Sequence, residues 1–236
     1  MKNAFSRALL LISLIAMALI LSACGGGGVD GDGGIMPISD DIRFYQFGDR
    51  IFFYMTKYFP SSGAYFTGNV LWEIFDDNVI NPFTGDLCFI YDIRGTLQGG
   101  SGVIDIGTGA LFAQDGAGSL YTCGKYDPFN DEVIFATEPL KRWIESPVRI
   151  GNVEAGTVFY SDGSWEFCTI RVEGAEVVST GAGRFEAFRI SETCNDSFGR
   201  ARSGTNWFYP PIYYIKSGST DFESQTTFDM QSYDLR

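Results

Sequence analysis

The chain has 236 residues, 17 basic and 29 acidic side chains, no histidine, and a formal net charge of −12. Its length suits one large β domain or two small ones, and its acidity disfavours nucleic acid and anionic membrane surfaces, which recruit Lys and Arg. Without histidine, Ser-His-Asp and Cys-His nucleophiles, His-ligated zinc or iron and His-based pH switching are excluded.

Lys2 and Arg7 precede an apolar run from Ala8 to Leu21, broken only by Ser13. A basic start, a short apolar stretch and small residues after it are the signs of a secretory signal, and the run is short for a membrane span. Leu21-Ser22-Ala23-Cys24 resembles the lipobox of bacterial lipoproteins. The resemblance implies a signal peptide over residues 1–23. It also implies a Cys24 carrying a diacylglycerol thioether and an acylated amino group, with palmitate-like chains that anchor the protein in the membrane. Residue +2 is Gly25, where Asp favours inner-membrane retention in that class, so the expected location is the cell envelope, on the outer membrane. Cleavage would leave 213 residues of net charge −14, since the leader holds two basic and no acidic side chains.

Residues 24–41 read as the lipidated cysteine and a tether, with Gly25 to Gly34 too rich in glycine to bury a face. Asp30-Gly31-Asp32-Gly33 looks like the start of a calcium loop, but the later ligands and closing Glu are absent, so a solvated linker is expected.

From residue 42 to 236 the texture is that of a mainly β domain: short aromatic and β-branched runs cut by Gly, Asn, Asp and Pro, with no long amphipathic helix. Strands are expected over Ile42–Phe47, Ile51–Phe59 and Asn69–Phe75. In the second, both alternating sets are largely apolar, which predicts cover on each face. Asp76-Asp77-Asn78 and Asn81-Pro82 read as turns. Further strands are expected over Leu87–Ile93, Val103–Ile106, Ala110–Ala113, Ser119–Cys123 and Glu132–Phe135. Thr137–Ser146, bounded by Pro139 and Pro147, reads as a helical turn or connection. An internal boundary near 137–150 could separate two similar halves. Val158-Phe159-Tyr160 and Trp165–Glu173 flank an Asp162-Gly163 hairpin turn. Glu176–Ser179 and Phe185–Glu192 pair through Gly181-Ala182-Gly183. Asn206–Tyr209 and Ile212–Lys216 flank Pro210-Pro211, a bulge or edge signal, and Asp221–Met230 supplies a last strand.

Cys88, Cys123, Cys168 and Cys194 remain once Cys24 is set aside. An even number in an exported domain reads as disulfides, with three pairings open. Cys88–Cys123 and Cys168–Cys194 are favoured because each joins neighbouring strand segments. A metal site built from all four cysteines is disfavoured, since no Cys-x-x-Cys pair exists.

Gly183-Arg184-Phe185-Glu186-Ala187-Phe188-Arg189-Ile190, followed by Trp207-Phe208-Tyr209-Pro210 and Ile215-Lys216, is similar to the closing half of β-rich domains in bacterial envelope lipoproteins. Those carry a GxFEAxRI strand and a WYxPGVGxVK strand pair. Phe47-Gly48-Asp49-Arg50-Ile51-Phe52-Phe53-Tyr54 resembles their opening GxxWxY strand, with phenylalanine for tryptophan. Pro211 and Tyr213 stand where that family has glycine. The resemblance implies a curved antiparallel sheet, a half-barrel or sandwich, and brings no activity with it.

Trp207, Phe208, Tyr209, Tyr213 and Tyr214 form the densest aromatic segment, readable as a ligand platform for acyl chains or glycans, or as a core strand and its bulge. Asp127, Asn130, Asp131 and Glu132 could form a calcium loop but suit a turn better. No dinucleotide fingerprint, Gly-Lys-Ser/Thr loop or nucleophile elbow is present, so no cofactor is expected. No metal or catalytic residue is assigned. The expectation is a lipid-anchored, non-catalytic envelope protein with a binding or structural role toward a hydrophobic or glycan ligand. The alternative is a carboxylate-based hydrolase of envelope or extracellular glycans, for which Asp76-Asp77 would supply one carboxylate.

Overall fold

The computed structural model describes residues 34–137 and 141–236. The expected leader, Cys24, most of the tether with Asp30 to Gly33, and Pro139 lie outside the described residues. Within them the chain is a single sheet of fourteen strands, antiparallel but for one short parallel pair, with no helix among the described residues. The strands are β1 (Ile35–Met36), β2 (Arg50–Phe59), β3 (Ala64–Ile80), β4 (Leu87–Gly99), β5 (Gly102–Gln114), β6 (Leu120–Asp127) and β7 (Glu132–Phe135). They continue with β8 (Lys141–Ile144), β9 (Val153–Phe159), β10 (Trp165–Thr180), β11 (Gly183–Asp196), β12 (Ala201–Tyr209), β13 (Tyr213–Thr220) and β14 (Gln225–Asp234).

The order across the sheet is β7-β6-β5-β4-β3-β2-β14-β13-β12-β11-β10-β9. Two meanders, β2–β7 and β9–β14, therefore lie side by side, joined where β2 pairs with β14. Off this path β8 pairs with β6, and β1 pairs in parallel with β11. The sheet curves until its ends touch without forming a ladder. One isolated bridge joins Ala136 to Tyr160, flanked by Thr137 N donating to Phe159 O at 2.8 Å and Ser161 N to Phe135 O at 2.9 Å. Bulges supply part of the bending. They interrupt the register at Val172/Gly174, Leu111/Phe112, Trp207/Phe208 and Met230/Ser232.

Alternation decides the inner face. On β2, Ile51, Phe53 and Met55 are buried, while Phe52 and Tyr54 are 41% and 40% exposed. The expected cover on both faces is thus found on one only. Trp72, Phe185, Phe208, Ile190 and Ile215 are among the largest fully buried side chains of the main core. The whole sheet, its core and both disulfides fall inside Gly33–Arg236, a compact unit by itself.

Several boundaries differ from expectation for identifiable reasons. Ile42–Phe47 is an extended strap and not a strand. Its backbone groups bond side chains and lone carbonyls: Ile42 N donates to Ser146 Oγ, Tyr45 N to Gln114 Oε1, and Arg43 N to Pro210 O. Asp76-Asp77-Asn78 is not a turn but the bulged continuation of β3, while Asn81 does open the turn to β4. Thr137–Ser146 contains strand β8, whose Trp143 and Ile144 are buried. The two short strands expected around Gly107 fuse into β5, and Trp165–Glu173 with Glu176–Ser179 fuse into β10 across a bulge.

Both favoured disulfides form. Cys168 and Cys194 are direct cross-strand partners with Cα atoms 4.1 Å apart. Cys123 is the extra residue of the β6 bulge, and its bridge to Cys88 joins strands that flank β5, not hydrogen-bonded neighbours. Ile90, Leu111, Ala113 and Tyr126 pack around that bridge as a second, smaller core.

Candidate functional site

The rolled sheet encloses an open cavity of about 920 Å³, at the upper end of the usual range for ligand sites. Its deep wall is aromatic. Tyr213 stacks on Trp72 with ring centres 5.2 Å apart and lies 6.2 Å from Trp143. Tyr91 stacks on Phe112 at 5.8 Å, and Phe112 meets Trp143 at 5.1 Å. These rings come from β3, β4, β5, β8 and β13, which only the curvature brings together. Burial pushes the Tyr91 phenol up to about 12 and those of Tyr213 and Tyr214 well above their ordinary value. The wall is therefore uncharged across the physiological range. Behind it Trp72 Nε1 and Tyr214 Oη have no hydrogen-bond partner among the described residues.

The opposite wall, from β9 to β12, is polar because alternate residues of these strands are charged. Arg202 reaches Glu166 at 3.1 Å and Glu192 at 3.0 Å. Asn206 Nδ2 donates to Glu192 at 3.4 Å, and Ser217 Oγ donates to Asn206 Oδ1 at 2.7 Å. Tyr160 donates its hydroxyl to Glu166 at 3.4 Å, and burial raises its phenol. Arg142 joins Glu154 at 2.8 Å and Glu145 at 3.1 Å. Lys125 lies over the Tyr160 ring, 3.9 Å from its centre. Burial pushes the Lys125 ammonium down from its ordinary value, against the upward pull of Glu166.

Of the five expected platform residues, Tyr213 and Tyr214 line the cavity. Phe208 and Tyr209 are core, and the Tyr209 hydroxyl donates to Pro37 O at 3.1 Å. Trp207 lies elsewhere, its Nε1 donating to Glu176 at 2.6 Å. The Asp127 carboxylate accepts from Phe129 N and Asn130 N, and Asp131 accepts from Tyr126, so this loop is a hydrogen-bonded turn. Glu166, Cys168 and Cys194 are close enough to share an ion, but the two sulfurs are bonded to each other and offer no thiolate. Asp76 and Asp77 accept from Asn78 and from Phe47 N within the β3 bulge.

Sequence reasoning missed Lys125, Lys141, Tyr160, Glu166, Glu192 and Arg202. One signal was available: Glu166 shares the phase of Cys168 and Ile170, so a charge sits on a face otherwise read as buried.

No protein family matches the sequence, and no curated protein matches it. Two solved structures are similar. One, from Bacteroides fragilis, is described as exported with a YmcC-like fold; it is 12% identical, with a TM-score of 0.44 over 82% of this chain and 99% of that one. The other, from Parabacteroides distasonis, is described as a lipoprotein; it is 11% identical, with a TM-score of 0.44 over 83% of this chain and 100% of that one. Likeness at this level assigns no activity.

Proposed function

We propose that the protein is a lipid-anchored, non-catalytic component of the cell envelope whose rolled β domain binds a ligand with apolar surface. The cavity is the observation that carries this reading: about 920 Å³, open to solvent, with an aromatic wall facing a hydrogen-bonded polar one. Fully packed sheets leave no such space. The anchoring half rests on Lys2, Arg7, the Ala8–Leu21 run, the lipobox and the glycine tether. Gly25 favours the outer membrane. The glutamates of the polar wall support binding over hydrolysis, because Glu166 and Glu192 are both engaged by the Arg202 guanidinium.

Two measurements test the proposal. In cells fed an alkyne-bearing fatty acid, the full chain should take up label and sediment with membranes, and Cys24→Ser should lose both. Unlabelled wild-type protein would contradict the anchor. For the cavity, Gly33–Arg236 exported behind a non-lipidated signal is screened by thermal shift against acyl and glycan compounds. A ligand of the native state raises Tm by mass action, and a protein shifted by neither class would contradict the binding role.

A further inference from the structure

Two of the cavity's cations stand outside its ion pairs. The glutamates that line it are all taken: Glu154 by Arg142, and Glu166 and Glu192 by Arg202. Asp127 at the rim accepts from its own turn, and Arg200 pairs with Asp196. Lys125 and Lys141 are left, neither with a carboxylate within 4.0 Å among the described residues. Two ammonium groups outside any direct ion pair thus face the cavity, Lys125 feeling Glu166 only at a distance. A partly buried charge without a partner is costly. Lys125 has only the Tyr160 ring beneath it, which offsets part of that cost.

Their placement adds a direction. Lys141 is opposite Thr122, which the Cys123 bulge leaves only two strand steps from Lys125 on β6, so the two stems start about 7 Å apart along the strand. The Lys141 stem lies on Gly156 of β9, where a Cβ would come within 2.5 Å of its Cε. Only glycine there leaves the stem its place. Two residues on, in phase with Lys141 on β8, Trp143 begins the aromatic wall. Cation and aromatic surface thus adjoin along one strand.

We infer that the cavity takes an amphiphile with a single anionic headgroup, a carboxylate or a phosphate monoester, its head at Lys125 and Lys141 and its chain along Trp143, Tyr213, Tyr91 and Phe112. This rests on the ligand-binding reading and narrows it to a chemical class. A neutral glycan would leave both ammonium groups unanswered, and a free inorganic anion would leave the aromatic wall unused.

The test titrates delipidated Gly33–Arg236 with oleate, oleyl phosphate, oleyl alcohol and inorganic phosphate, followed by tryptophan fluorescence, since Trp72 and Trp143 line the cavity. Both oleyl anions should bind at least tenfold more tightly than the alcohol, and inorganic phosphate should not bind in the same range. The Lys125→Gln/Lys141→Gln double variant should lose at least tenfold for the anions and nothing for the alcohol. Lys125→Arg/Lys141→Arg should retain the preference, which separates charge from folding. If alcohol and acid bind equally, or the double variant is unchanged, the headgroup inference is overturned while cavity binding stands. If no oleyl compound binds but a glycan does, the inference is again overturned and the binding reading survives. If nothing binds, both fall.

Discussion

Tyr213 has a backbone φ of 155°, a region in which glycine alone is at ease. It is also 5% exposed and packs its ring against Tyr45, Trp72, Tyr91, Trp143 and Phe208. The two facts set opposing terms. Truncating a buried aromatic side chain to alanine costs about 3–5 kcal/mol, and alanine keeps its Cβ and hence the backbone strain. Glycine loses the same ring and a further ~0.5–1 kcal/mol of chain entropy, but it relieves about 1–3 kcal/mol of strain. Tyr213→Gly should therefore be more stable than Tyr213→Ala by about 1 kcal/mol, the reverse of the usual order in a strand. Urea denaturation of Gly33–Arg236 with disulfides intact, read by far-UV circular dichroism, measures both variants against wild type at matched m-values. A glycine variant less stable than the alanine variant would refute the reasoning.

Three further outcomes are expected. Cys88→Ala/Cys123→Ala and Cys168→Ala/Cys194→Ala open loops of 35 and 26 residues. Each should cost about 3.5–4 kcal/mol in the chain-entropy treatment, and a loss below about 1 kcal/mol in the same urea assay would contradict it. Lys125→Met should stabilise the ligand-free unit near neutral pH. A lysine whose folded pKa is lowered costs stability wherever it is charged in both states, and that cost fades as pH rises through the folded value toward ~10.4. The gain should accordingly shrink at alkaline pH, and a destabilised Lys125→Met at pH 6 would count against the unpaired ammonium. Asp115 accepts from Ala117 N and Ser119 N at 2.9 Å and from the Tyr121 hydroxyl at 3.1 Å. Burial opposes its charge, but these bonds together hold its carboxyl below the ordinary range. Asp115→Ala should cost about 1–2 kcal/mol at neutral pH. That difference is fully present above the unfolded pKa of ~3.9 and should vanish as pH falls through the lower folded value.

Local patterns carried much of the fold. Glu132–Phe135 is a strand with the expected bounds, the Asp162-Gly163 turn joins β9 to β10, and both disulfides pair as the strand spacing favoured. Ile42–Phe47 misled because Ile42 and Tyr45 are buried without a ladder partner, which composition cannot distinguish from a strand. The cavity was less legible. Its aromatic wall draws Trp72, Tyr91, Phe112, Trp143 and Tyr213 from separate strands, and nothing in the spacing of single rings reveals that a rolled sheet will gather them. The aromatic density at Trp207–Tyr214 drew attention to a segment of which half is core. Lys125 and Arg202 lie in strands where neighbouring positions alternate weakly, so their inward orientation depends on the bulge in β6 and on the register of β11 with β12.

Native mass spectrometry of Gly33–Arg236 purified from periplasm without delipidation tests the central claim most directly. The account predicts a population heavier than the bare chain by one small molecule of acyl-amphiphile mass, with both disulfides formed, and loss of that species in Ala110→Phe, which fills part of the cavity. A spectrum showing only the bare oxidised chain, together with no uptake of added oleate, would contradict a ligand-binding cavity.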